Sequence, residues 1–345
     1  MTAFAARIVQ WQRTQGRHGL PWQGTRDPYR IWLSEIMLQQ TQVATVLAYF
    51  ERFVARFPTV DALVRAGDDE VMALWSGLGY YARARNLHRA AREVAARFGG
   101  VFPARFDDLV TLPGIGRSTA AAIAAFASGE RRAILDGNVR RVLARHGGIA
   151  GDPSRAATQR ALWSEAESRL PPEAIEAYTQ GMMDLGANVC VPRDPQCPIC
   201  PVNADCVARI EDRVAELPGR KSRAPVRRKR ISMLVVLRGG EVLLEKRAPS
   251  GIWGGLWSLP EAAADAAPAE FLAREWGLVA DEARALEPFE HAFTHFTLEV
   301  APWQVTLARG SQVAEGKAAT WLALSEVQAA ALPSPVKKLL RVIPA

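Results

Sequence analysis

The sequence predicts a multidomain chain: an all-α domain over residues 1–210, then a smaller α+β domain over 231–345. Three observations carry that prediction. Apolar residues recur at three- and four-residue spacing through segments such as 68–98 and 154–170, with no alternating runs. From residue 231 the texture changes, and 231–237 and 241–245 look like strands joined as a hairpin at Gly239-Gly240. All four cysteines fall between Cys190 and Cys206, which excludes scattered disulfides and points to a local ligand cluster.

The elements follow in order. Asp27-Pro28 is a helix start, because Asp can cap and Pro suits the first helical position. The helix that follows, 29–39, carries Glu35 among Trp32, Leu33, Ile36, Met37 and Leu38. Taken alone, a carboxylate there would most often serve an interhelical salt bridge. Helical segments at 105–110 and 118–127 flank Leu112-Pro113-Gly114-Ile115-Gly116. Gly114 and Gly116 permit tight turns, and Gly116 opens a helix whose free N–H groups suit a DNA phosphate. An ordinary αα-corner is the plain alternative. Twenty residues on, Asp136 precedes a helix at 139–145, where a routine N-cap would explain it. Residues 211–230 are Pro-containing and basic, and read as a linker able to lie along a phosphate backbone. Further strands are expected at 296–300 and 303–307, and a closing helix at 332–342.

Charge is unevenly spread. Residues 1–230 hold 33 Lys+Arg against 23 Asp+Glu, whereas 231–345 hold 10 against 13, so the first part is the one suited to a polyanion. No apolar stretch approaches the ~20 residues that span a bilayer. The start, MTAFAARIVQWQRTQG, has no apolar core of a secretory signal, so a cytoplasmic protein is expected.

The cysteines have the spacing C-x6-C-x2-C-x5-C, with Pro192, Pro195, Pro198 and Pro201 between and around them. Four thiolates in a compact loop suit a 4Fe–4S cluster or a structural zinc, and spacing alone slightly favours zinc.

Several motifs occur together and in order: WLSEIMLQQTQ (32–42), GLGYYARARNL (77–87), LPGIGRSTA (112–120), ILDGNVRRVLAR (134–145), MMDLGA (182–187) and the cysteine loop. In this combination the chain resembles the adenine DNA glycosylases of the helix-hairpin-helix superfamily, over nearly its whole length. The resemblance implies two helical subdomains with a DNA cleft between them, then a Nudix-like domain. It also implies removal of adenine mispaired with 8-oxoguanine, and with G, on double-stranded DNA. A 4Fe–4S cluster on Cys190, Cys197, Cys200 and Cys206 is implied rather than zinc. The protein would act as a monomer, associated with the nucleoid through DNA.

Residue by residue, the resemblance makes Glu35 the general acid that protonates adenine and then handles the water. Asp136 stabilises the cationic sugar, and Asn138 holds the water or sugar. Gln40 and Tyr80 match the intercalating and wedge residues; Gln39, Leu38 and Trp22 help line the cleft, and Gln180 is a further pocket candidate. Ser118 stands where strand-cutting relatives carry a Schiff-base lysine, so a monofunctional enzyme is expected. The alternative is a bifunctional endonuclease III-like pyrimidine glycosylase, against which Ser118 and the second domain argue. In the second domain Gly255 and Glu261 match the opening of a Nudix box. Its continuation EFLAREWGL (270–278) needs one extra residue to align and puts Arg274 in place of a metal-binding Glu, with only Glu275 surviving. Hydrolysis of nucleotides is therefore not expected. Phe293, Thr294 and His295 match the family's lesion-reading motif, with Thr294 in place of the usual Ser.

Overall fold

Thr2 Oγ1 accepts the Ala5 N–H at 3.2 Å and starts α1 (Ala3–Gln15). In the computed structural model, which describes residues 1–220, 227–293 and 295–343, local signals of this kind set the helices of the first 210 residues. Asp27 Oδ1 accepts the Tyr29 N–H at 2.9 Å, and Pro28 fills the first position of α2 (Pro28–Leu38). There follow α3 (Val43–Arg56), α4 (Val60–Arg65), α5 (Asp68–Trp75) and α6 (Ala82–Phe98). Next come α7 (Phe106–Leu109), α8 (Arg117–Ser128), α9 (Gly137–His146), α10 (Ala156–Ser168), α11 (Ile175–Asp184) and α12 (Val207–Ile210). A π-helical turn, Leu185–Val189, continues α11 toward the cysteines. Among the described residues no helix is long and apolar enough to cross a membrane.

Two compact units result, Met1–Arg65 with Asn86–Arg223, and Ala66–Arg85 with Ala224–Ala345. This departs from the contiguous division expected at 210, because α5 and the loop after it group with the second unit. Trp257 Nε1 donates to Asp69 Oδ2 at 3.0 Å, Lys246 Nζ pairs with Asp69 Oδ1, and Ser76 Oγ donates to the Leu332 carbonyl at 3.0 Å. The core of the first unit joins Phe4 and Ile8 of α1, Ala121, Ala122 and Ala125 of α8, Val142 and Leu143 of α9, Leu162 of α10 and Met182 of α11. Small residues let these helices close up: a Cβ at Gly181 would stand 2.8 Å from Ile8 Cγ2.

The second unit is a mixed sheet. Its described strands are β1 (Arg227–Arg238), β2 (Glu241–Lys246), β3 (Trp257–Ser258), β4 (Glu261–Ala263), β5 (Ala280–Ala285), β6 (Phe289–Ala292), β7 (Phe296–Leu307) and β8 (Ala319–Ala323). The order is β3-β2-β1-β7-β5, with β4 on β1, β6 on β7 and β8 on β2. Only β1 and β7 run parallel among these pairs, from Arg227 opposite Phe296 to Leu237 opposite Thr306. Gly239 and Gly240, at φ 55° and 82°, turn β1 into β2, as a two-residue hairpin with both central residues left-handed requires. Helix α13 (Pro268–Trp276) buries Leu272 and Trp276 against Leu234, Val236, Leu243 and Val305, and α14 (Ser334–Arg341) closes the chain.

Two expectations are corrected. The strands expected at 296–300 and 303–307 are one. Pro302, which has no N–H to give, falls between β6, whose pairing ends at Val300, and β5, whose pairing begins at Trp303. The end of the basic linker is also strand. Residues 227–230 begin β1, and Arg228 and Arg230 pair with Glu299, Arg228 also with Glu290. Those two cations are thus matched within the chain.

Candidate active site

A cleft of about 1530 Å³ opens in the first unit, lined among others by Trp22, Glu35, Leu38, Gln39, Gln40, Ser118, Asp136, Asn138 and Gln180. Helix α2 brings Glu35 there while burying Ile31, Trp32, Leu33, Ile36 and Met37 around it. Burial, and secondly the charge of Asp136, pushes the Glu35 carboxyl up from 4.5 to about 8. No hydrogen bond or cation offsets this among the described residues, so the interhelical salt bridge that would have explained Glu35 is not formed.

Asp136 is treated differently by its surroundings. Its Oδ1 accepts the N–H groups of Asn138 at 2.6 Å and Val139 at 2.9 Å, capping α9, and no described group donates to Oδ2. Burial raises its pKa, while the two N–H groups and the guanidinium groups of Arg141 and Arg140 oppose that rise. Burial still prevails and its carboxyl stays above the usual range, but of the two carboxyls only Asp136 has donors and cations beside it that favour its charged form. Asn138 Oδ1 accepts from Arg141 Nη2 at 2.9 Å, and Arg141 Nε donates to the Cys190 carbonyl at 2.6 Å. Ser118 Oγ accepts the Leu135 N–H at 2.9 Å, which fixes the extended stretch leading into Asp136.

Around this pair, Gln39 Nε2 reaches Thr119 Oγ1 at 3.3 Å, and Trp22 meets Phe50 edge-on at 5.2 Å. Gln40 stands exposed at the end of α2 with φ 57°, a left-handed conformation rare for a residue with a Cβ. Gly114 is exposed in its hairpin at φ 79°, where a Cβ would stand 2.8 Å from Asn86 Cβ; Gly116 precedes the first turn of α8.

Sequence reasoning passed over the polar groups that support this wall. Asp184, fully buried, accepts from the Arg17 N–H at 2.8 Å, from Arg17 Nε at 2.6 Å and from Gln180 Nε2 at 2.8 Å. The only advance signal was an acidic residue in the apolar run MMDLGA.

Cys190, Cys197, Cys200 and Cys206 are free thiols around one small pocket with Val142, Arg145 and Val202. Burial raises Cys200 to about 11 and Cys206 in the same direction, with the neighbouring thiols adding to both. Buried Arg145 donates to Cys190 Sγ at 3.4 Å and to the Val191 carbonyl at 2.7 Å. A donor set of four thiols beside a buried cation fits a thiolate-bound metal group. Among the described residues no three His, Cys, Asp or Glu side chains converge as they would on a single ion.

The remaining candidates belong to the second unit. Tyr80 is exposed, with φ 49° and the Arg83 guanidinium 5.5 Å from its ring. Phe293 stacks on Phe296 at 4.5 Å and meets His291 edge-on at 4.7 Å in the turn between β6 and β7. His295 is exposed, and Thr294 lies outside the described residues. Glu261 pairs with Arg247 and Glu275 with Arg274, so both surviving Nudix-box carboxylates have a cation of the chain.

Comparison with known proteins bears on this geometry. Residues 33–168 match the model of the HhH-GPD superfamily base excision DNA repair proteins, and 232–342 that of the NUDIX domain. An adenine DNA glycosylase of Buchnera aphidicola subsp. Schizaphis graminum is 34% identical over 98% of both chains. The chain belongs to the adenine DNA glycosylase family. The human adenine DNA glycosylase is 33% identical, over 99% of this chain and 74% of its own. A solved thermostable thymine-DNA glycosylase aligns at TM-score 0.55 and 30% identity, over 60% of this chain and 95% of its own. As an adenine DNA glycosylase the chain is a base-excision enzyme, a hydrolase of N-glycosyl bonds with a helical glycosylase domain and a Nudix-like one.

Proposed function

We propose that the cleft excises adenine paired with 8-oxoguanine, or with guanine, by hydrolysis alone, with Glu35 as general acid and Asp136 as the sugar's counter-charge. The observation that carries this is the contrast between two neighbouring carboxyls, one ionising near 8 and one held by two N–H groups at a helix N-terminus. Adenine leaves poorly as an anion, so the bond breaks with protonation of the base and positive charge on the sugar. Glu35 keeps its proton at neutral pH and can deliver it, then take one back from the attacking water. Asp136 faces the sugar with the oxygen that its cap bonds leave open. The Asn138 carbonyl accepts from Arg141, and its NH2, which has no acceptor among the described residues, can hold the water or the sugar.

Ser118 offers no amine, so no Schiff base to the abasic sugar forms and the strand is left intact. Gln40 and Tyr80, both exposed on left-handed backbone, suit filling the gap left by the extruded base. Phe293 and His295, between β6 and β7, suit contact with the opposite lesion, and Thr294 completes that motif in sequence. The four cysteines would hold a 4Fe–4S cluster, which supplies a rigid cross-link within the loop. The enzyme acts as a monomer on duplex DNA.

Purified protein on duplexes holding 8-oxoguanine:A, G:A, thymine glycol or no lesion, followed by alkali, tests this. A break at the A opposite 8-oxoguanine, absent without alkali, is expected; no alkali-labile site there refutes it. Glu35→Gln should bind the mispair without cutting, and near-normal excision would remove Glu35 from its role.

A further inference from the structure

Resting on that reading of the cleft, we infer that Asp184 is a positioning residue that fixes which face of the Gln180 amide meets the extruded base, and so sets selectivity for a 6-amino purine. A carboxylate can only accept hydrogen bonds. Asp184 takes one from Gln180 Nε2 at 2.8 Å while Arg17 occupies it through Nε at 2.6 Å and its backbone N–H at 2.8 Å. The Gln180 NH2 must therefore point at Asp184, and its Oε1 must point away. No described group donates to that oxygen, and Gln180 lines the cleft that holds Glu35.

Other cleft amides are committed differently. Gln23 Oε1 accepts the Leu20 N–H while its Nε2 donates to the Arg17 carbonyl, and the Asn138 carbonyl accepts from Arg141. Gln180 thus presents an oriented acceptor, the group that an exocyclic amino donor requires. A guanine-type 6-oxo edge would meet it with a second acceptor and be repelled. Asp184 is itself sealed from solvent, so it acts through Gln180 and not on the base.

Single-turnover excision is measured for adenine and for unsubstituted purine, which lacks the 6-amino group, each opposite 8-oxoguanine. Asparagine at 184 can donate as well as accept, so Gln180 can turn over. Asp184→Asn is expected to lower the adenine-to-purine rate ratio roughly tenfold. Gln180→Met should lower it as much, and the double variant no further. Asp184→Glu, which keeps a carboxylate, should restore most of the ratio. Equal slowing of both bases by Asp184→Asn would reduce Asp184 to a structural brace and overturn the inference. Should Asp184→Asn not fold, Gln180→Met decides alone, because it leaves the Arg17–Asp184 pair intact; an unchanged ratio overturns the inference. Failure of the acid role would show separately, as excision of both bases by Glu35→Gln.

Discussion

Replacing Glu35 with glutamine should make the protein more stable and less active, and the gain in stability should depend on pH. The Glu35 carboxyl ionises near 8 in the fold against 4.5 as a free side chain. Because the folded value is raised, the native state gives up nothing to this group below about 4.5. It loses ~1.4 kcal/mol per pH unit above that, until about pH 8. At pH 7 the accumulated cost is roughly 3 kcal/mol; at pH 5 it is under about 1 kcal/mol. Glutamine keeps the shape of the side chain without the charge, so it removes that cost. Urea titrations of both proteins without DNA, at pH 5 and pH 7, read the difference. The variant's midpoint should lie close to the parent's at pH 5 and clearly above it at pH 7. A gap equal at both pH values, or a variant less stable at pH 7, would show that the carboxyl is not held neutral by burial and refute the reasoning. The same variant should lose on the order of 10²–10⁴ in excision rate, the range general acid catalysis supplies. Under the acid role proposed for Glu35, that cost is the usual trade between fold and function.

Two further outcomes follow from the same unit. Cys200→Ser should lower iron and acid-labile sulfide bound per chain, measured on purified protein; full occupancy would exclude Cys200 as a ligand. Ser118→Ala leaves the buried Leu135 N–H without its acceptor, which should cost about 1–3 kcal/mol in denaturation experiments, while borohydride should trap no covalent DNA adduct in high yield with either protein; high-yield trapping by the parent would show a lyase.

Much of the site was legible because its signals are local. Asp27-Pro28 marks where α2 begins, and the apolar residues around Glu35 show that its carboxyl is enclosed. Gly239-Gly240 marks a hairpin, and the cysteine spacing marks a ligand loop. What stayed hidden depends on partners distant in sequence. Asp184 and Arg17 lie 167 residues apart, and nothing in either neighbourhood announces the other. Charge concealed the start of β1, because Arg228 and Arg230 read as linker until Glu290 and Glu299 are brought beside them. Pro302 reads as a break because its missing N–H is harmless only where β6 gives way to β5. The grouping of α5 with the second unit rests on Asp69 meeting Lys246 and Trp257, which no helical periodicity encodes.

Asp136 shows that a plain structural reading and a functional one need not compete. As an N-cap it satisfies two orphan N–H groups of α9, and those N–H groups oppose, without cancelling, the rise in its pKa that burial brings. Both bonds fall on Oδ1, so capping uses one oxygen and leaves the other open, as the proposed role toward a cationic sugar requires. Substitutions can separate the two roles. Asn138 and Val139 would still find an acceptor in Asp136→Asn, because Asn caps about as well as Asp, so stability should change by only a few tenths of a kcal/mol. Its excision rate should nevertheless collapse, since the charge is gone. Asp136→Ala should lose the rate equally and in addition about 1 kcal/mol of stability. Excision by Asp136→Asn within a few-fold of the parent would mean that the carboxylate serves only as a cap, and that the cationic sugar finds its counter-charge elsewhere.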